Sequence, residues 1–86
     1  MGDGNALWVD QREIMHFHSD DVVDVRVTRR EIAARRSEFA ADDRVTLRKS
    51  TSADWLEIEM RSEADVDFVL GIIRIAAEAN RRSLKR

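Results

Sequence analysis

Two short runs in which apolar and polar residues alternate, 13–18 and 22–27, face each other across Ser19, Asp20 and Asp21. Alternation with a period of two marks half-buried strands, and a polar triplet between two such runs predicts an antiparallel hairpin. With a three-residue turn, His18 faces Val22, Phe17 faces Val23, His16 faces Asp24, Met15 faces Val25 and Ile14 faces Arg26. Met15, Phe17, Val23, Val25 and Val27 then make the core face, while Ile14, His16, His18, Val22, Asp24 and Arg26 share the other. A two-residue turn at Asp20 and Asp21 instead sends Met15 and Phe17 out beside Asp24 and Arg26 and sets both histidines among the valines. The first register is therefore preferred.

The rest of the chain reads in the same terms. Residues 1–5 are expected to be a frayed tail, and residues 6–9 a short strand or a lead-in. Thr28 and Glu31 have the spacing of a capping box, which predicts a helix from there to about Ser37, with Ile32, Ala33 and Arg36 on or beside its inner stripe and Phe39 anchoring the exit. A second hairpin is expected from 45–49 and 55–61 around a turn at 50–54, each strand apolar on one face only. Ser62 and Asp65 predict the start of a last helix running from Glu63 to about Arg82. The predicted fold is α+β: one domain over residues 1–86, an antiparallel sheet of two hairpins with two helices on one face, in the order ββαββα.

The last helix is apolar on two sides. Val66, Val69, Leu70, Ile73, Ala76 and Ala77 form a stripe expected to lie on the sheet, and Phe68, Ile72, Ile75 and Ala79 form a second. Burying a large aliphatic or aromatic side chain is worth roughly 1.5 to 3 kcal/mol, so a second stripe favours a partner surface. A homodimer through Phe68, Ile72 and Ile75 is the simplest outcome, and another protein partner is also admitted. The alternative is a helix wedged between the sheet and its own N-terminal segment.

Composition narrows the function classes. There is no cysteine, so neither a disulfide nor a thiolate metal site is available, and a cytoplasmic setting is the default. The longest mostly apolar stretch, 66–79, is interrupted by Arg74 and Glu78 and falls short of the roughly 20 residues of a membrane span. The N-terminal residues lack the basic start and apolar segment of a secretion signal. Charged residues make up 37% of the chain, yet the formal net charge is −2, so both signs mix on the surface. The basic clusters, Arg29, Arg30, Arg35 and Arg36 on the first helix and Arg81, Arg82, Lys85 and Arg86 at the end, lack interleaved stacking aromatics. Nucleic acid is not an expected partner.

Candidate chemistry concentrates on one strand pair. His16 and His18 project from the same face and can converge on one ligand. Zinc takes three or four protein ligands, however, and only Asp24 is an obvious third, so no metal and no cofactor are assigned. Asp24 opposite His16 would suit a general acid or base, or a pair made for stability. Arg26 has the donor fork to fix an anionic group, or it neutralises Asp24 two residues away. Trp55, on the polar face of its strand, marks a possible contact surface. Trp8 is expected to cover one end of the core. Glu57 and Glu59 share a strand face, an arrangement met in hydrolases and on many solvated strands. Arg48 is expected to pair with one of them.

The run Arg12-Glu13-Ile14-Met15-His16-Phe17-His18, followed by Val23-Asp24-Val25-Arg26-Val27, resembles the bacterial "luciferase domain" family, in which an R-E-I-x-H-x-H strand leads through a short turn to an apolar strand carrying aspartate. That family's later R-S-E-x-D-V motif has its counterpart in Arg61-Ser62-Glu63-Ala64-Asp65-Val66. The resemblance spans Arg12 to Arg82 and implies the fold more than a chemistry, because no established reaction, substrate or cofactor goes with the family name. Two features of the family are missing. About eleven residues precede Arg12, where members commonly carry a further helical segment whose loss would expose core surface. Residues 37–43 stand where a histidine-rich stretch often follows the first helix. The expectation is a small binding or interaction domain that self-associates; the alternative is an enzyme, ligand or metal site on His16, His18, Asp24 and Arg26.

Overall fold

The computed structural model describes residues 6–47 and 53–84. Among them, strands β1 (Ala6–Val9), β2 (Arg12–Phe17), β3 (Val22–Arg26), β4 (Val45–Thr46) and β5 (Trp55–Glu59) form one antiparallel sheet in the order β1-β2-β3-β5-β4. Helices α1 (Arg29–Ala34), α2 (Arg36–Ala41) and α3 (Ala64–Leu84) complete the chain. The class is α+β, as the periodicities predict. The expected tail over 1–5, the pairing of Arg48, most of the turn at 50–54, and Lys85 and Arg86 lie outside the described residues.

The β2–β3 register is the predicted one: Met15 opposite Val25, His16 opposite Asp24, Phe17 opposite Val23. The amide N–H of His18 donates to the carbonyl of Val22 at 2.8 Å and closes the three-residue turn. β5 then pairs with β3, Val23 facing Ile58 and Val25 facing Leu56. Val23, Val25, Val27, Leu56 and Ile58 are fully buried against Val69, Ile72 and Ala76 of α3, with Ile32 of α1 and Phe39 of α2 closing the cluster. All three helices contribute to this one core.

Residues 6–9 are a true strand, joined to β2 through Asp10, whose φ of 56° is the left-handed conformation that aspartate tolerates in tight turns. Its pairing corrects the alternation. Leu7 faces Met15, but Trp8 faces Glu13, so the ladder steps over Ile14. Such a bulge reverses which side the preceding residues face. Glu13 accordingly lies 3.1 Å from His16, Arg12 reaches Asn80 of α3, and Ile14 is 2% exposed instead of sharing the histidine face. Phe17 is 42% exposed, a departure from its expected core role at the last position of β2, and Trp8 is exposed rather than covering the core.

The expected single first helix is two short ones. Glu31 N–H donates to the Thr28 hydroxyl at 3.3 Å, the predicted cap, but the return bond is not made: Thr28 N–H goes to the carbonyl of Asp54, and the Glu31 carboxylate takes Arg35 and Arg82. The backbone leaves helical geometry at Arg35, and Ala33 and Arg36 are exposed while Ile32 and Phe39 enter the core.

α3 also lies rotated from expectation. Its buried line runs Asp65, Val69, Ile72, Ala76, Ala79 and Asn80, with Val66 and Leu70 exposed. Ile72 is a core residue rather than a surface one, and Phe68 and Ile75 are half-buried and pack against that core. No helix among the described residues is long and apolar enough to cross a membrane.

Candidate functional site

The sheet face away from the helices carries a row of polar side chains that the register sets side by side. Asp24, on the central strand β3, stands between His16 of β2 and Glu57 of β5. One step along, Arg26 stands opposite Trp55. His18 follows His16 on the same side at the end of β2.

Asp24 is the hub. Its Oδ2 lies 3.0 Å from His16 Nε2 and 3.2 Å from His18 Nδ1. The other His16 nitrogen, Nδ1, lies 3.1 Å from Glu13 Oε1. Only a doubly protonated ring donates to both carboxylates at once; a singly protonated ring leaves one lone pair facing an acceptor. Asp24 is only 4% exposed, and its Oδ1 is buried with no hydrogen-bond partner among the described residues. Leaving a buried acceptor without a donor costs about 1 to 3 kcal/mol, and more when the group is charged.

Trp55 forms the wall beside this cluster. The His16 ring centroid is 5.1 Å from it at a 48° tilt, and the Arg26 guanidinium sits 5.6 Å from its ring centroid. Arg26 pairs with Asp54 at 3.5 Å, not with Asp24, its expected neutralising partner. His16, His18, Asp24, Arg26 and Trp55 are thus gathered on one face. Phe68, Ile72 and Ile75 are elsewhere, in and around the core.

Three members of this neighbourhood escape sequence reasoning. Glu57 joins His18 and Asp24 because β5 pairs with β3, and each of the three presents a ligand atom within 4.8 Å of the others. Nothing local signals that adjacency, since β3 and β5 are not consecutive. Glu13 reaches His16 only through the bulge, and Asp54 reaches Arg26 only through the loop before β5. Glu59, the other carboxylate of the suspected hydrolytic pair, is engaged by Arg61 at 3.0 Å.

A second charged cluster ties β4 to α3. Arg44 makes a two-pronged contact with Asp42, at 2.9 and 2.7 Å, and donates to Asp65 at 2.8 Å while lying over the Phe68 ring. These Arg44 bonds, against an opposing effect of burial, hold the Asp42 carboxyl down to about 2. The Asp65 carboxyl is also lowered, first by the backbone N–H of Arg61 and then by Arg44. Each guanidinium nitrogen of Arg44 and each carboxylate oxygen of Asp42 and Asp65 has a partner here, which makes the cluster a structural clasp.

One layer of helices behind a sheet whose other face no described helix covers defines a class of small α+β domains in which a polar site can sit on the strands themselves. Within that class the chain belongs to the Luciferase domain family, whose model matches residues 11–76 and so takes in both histidines, Asp24, Glu57 and the greater part of α3. No curated protein and no solved structure matches the chain.

Proposed function

We infer that this chain is a ligand-binding domain whose ligand seats on the open sheet face over Asp24. The supporting observation is the Asp24 carboxylate: nearly sealed from solvent, with two imidazoles sharing one oxygen and, among the described residues, no donor for the other. A fold that keeps such a group accepts a stability cost, and a site that receives a donor or a positive charge from outside accounts for it. Around it, Glu13, Asp54 and Glu57 outnumber the cationic Arg26, with Glu59 already engaged by Arg61, so the face favours a cation or a donor-rich ligand over an anion. Trp55 supplies a flat apolar wall for the remainder of that ligand.

The test is a titration of the isotopically labelled chain with three probes, ethanolamine, sorbitol and zinc chloride, followed by NMR. At least one should move the His16, His18 and Trp55 side-chain signals together, and Asp24→Asn should abolish the movement. Silence from all three, or shifts centred on Arg44, would remove the site from this face.

A further inference from the structure

Building on that ligand-site reading, we propose that the ligand is a divalent first-row transition-metal ion held by His18, Asp24 and Glu57. The donor set is the first reason. One imidazole nitrogen with two carboxylates suits zinc, iron(II), nickel or manganese, whereas calcium and magnesium favour sites built from oxygen alone.

Charge is the second reason. Asp24 and Glu57 stand directly opposite each other on adjacent strands, and like charges so placed destabilise a sheet. A dication between them converts that repulsion into attraction and gives the buried Asp24 Oδ1 the partner it lacks among the described residues.

Geometry is the third. A tetrahedral ion about 2.1 Å from each donor needs the donors about 3.4 Å apart. The three ligand atoms lie within 4.8 Å of one another, and side-chain rotation at His18, 59% exposed just past β2, and at half-buried Glu57 would bring them to that spacing. Binding replaces the His18 Nδ1 contact with Asp24, and any proton on that nitrogen is released to solvent.

His16 then acts as the positioning residue. Bridging Glu13 Oε1 and Asp24 Oδ2, it fixes the Asp24 carboxylate in the orientation a metal requires, the role that outer-shell partners play around bound ions. With three protein ligands the ion would have a coordination position left for water or a substrate.

Calorimetric titration of the chelator-treated full chain with zinc chloride tests this, with magnesium chloride as control. The expected result is one zinc ion per chain, no magnesium binding in the same range, and affinity at least about tenfold weaker in His18→Ala and in Glu57→Gln. Both side chains reach solvent, and circular dichroism checks that each variant is folded. Zinc bound equally well by both variants, or not at all by the wild type, overturns the proposal. If zinc fails while ethanolamine or sorbitol still shifts the His16 and Trp55 signals, only the metal assignment falls. If nothing binds, the ligand site falls with it.

Discussion

Asp24 and Thr28, four residues apart on the chain, are both held in costly states by their neighbours. Thr28 has φ 87° and ψ 146°, a region that β-branched residues almost never occupy. Asp54 holds it there: its carbonyl accepts from Thr28 N–H at 2.9 Å, its carboxylate from Arg29 N–H at 2.7 Å, and the same carboxylate pairs with Arg26 beside Trp55. The strained entry to α1 is thus linked to the edge of the candidate site. Thr28→Gly removes the steric conflict and keeps a tolerated cap, whereas Thr28→Ala keeps the conflict and loses the hydroxyl. The glycine variant should be more stable than the alanine variant by about 1 kcal/mol in urea denaturation. The reverse order would show that the backbone there is relaxed. At this scale, side-chain parity made His16, His18 and Asp24 legible as a group from sequence. It failed at Ile14, where one bulge residue, invisible to a period-two pattern, turned Arg12, Glu13 and Ile14 over.

Among the elements, α3 shows why an apolar helix is hard to orient from its sequence. With two candidate stripes the hydrophobic pattern is nearly degenerate, and polar residues with fixed partners settle the rotation. Asp65 must reach Arg44 and the Arg61 amide, and Asn80, fully buried, must donate to the Arg26 carbonyl at 2.8 Å. Together they turn Ile72 inward. Ile72→Asp therefore places a carboxylate in the core, at a cost of about 4 kcal/mol or more, a large share of the stability of a domain this size. Loss of the far-ultraviolet dichroism signal is the expected result. A folded variant that merely changed its sedimentation would instead return Ile72 to an interface. The Arg44 clasp gives a pH signature with a definite sign. Asp42 is held near 2 against an ordinary 3.8, so its contribution is complete above pH 3.8 and is lost as pH falls toward about 2. Chemical denaturation across that window should show wild type losing more stability than Arg44→Met, which has no such contribution to lose. Parallel curves would mean that the clasp is not formed in solution.

On the scale of the whole molecule, the described helices all pack on one side of the sheet, and that asymmetry is what makes a site possible on the other. The class and the strand pairs of both hairpins were legible because each strand announces its own alternation and the first turn its own chemistry. Strand order was not, because the pairing of β3 with β5 spans both short helices and β4, and local residues do not encode it. That pairing brings Glu57 to Asp24, so the most chemically suggestive contact in the chain is also the one furthest from sequence reasoning. The Luciferase domain match covers the same span without naming a ligand, which leaves the chemistry to the open face itself. Its most direct test is the carboxyl carbon resonance of Asp24, followed by NMR as zinc chloride is added to the metal-free chain. A shift that saturates at one equivalent, together with the ring signals of His16 and His18, is the predicted result. An Asp24 resonance that stays fixed while zinc perturbs other carboxylates would contradict it.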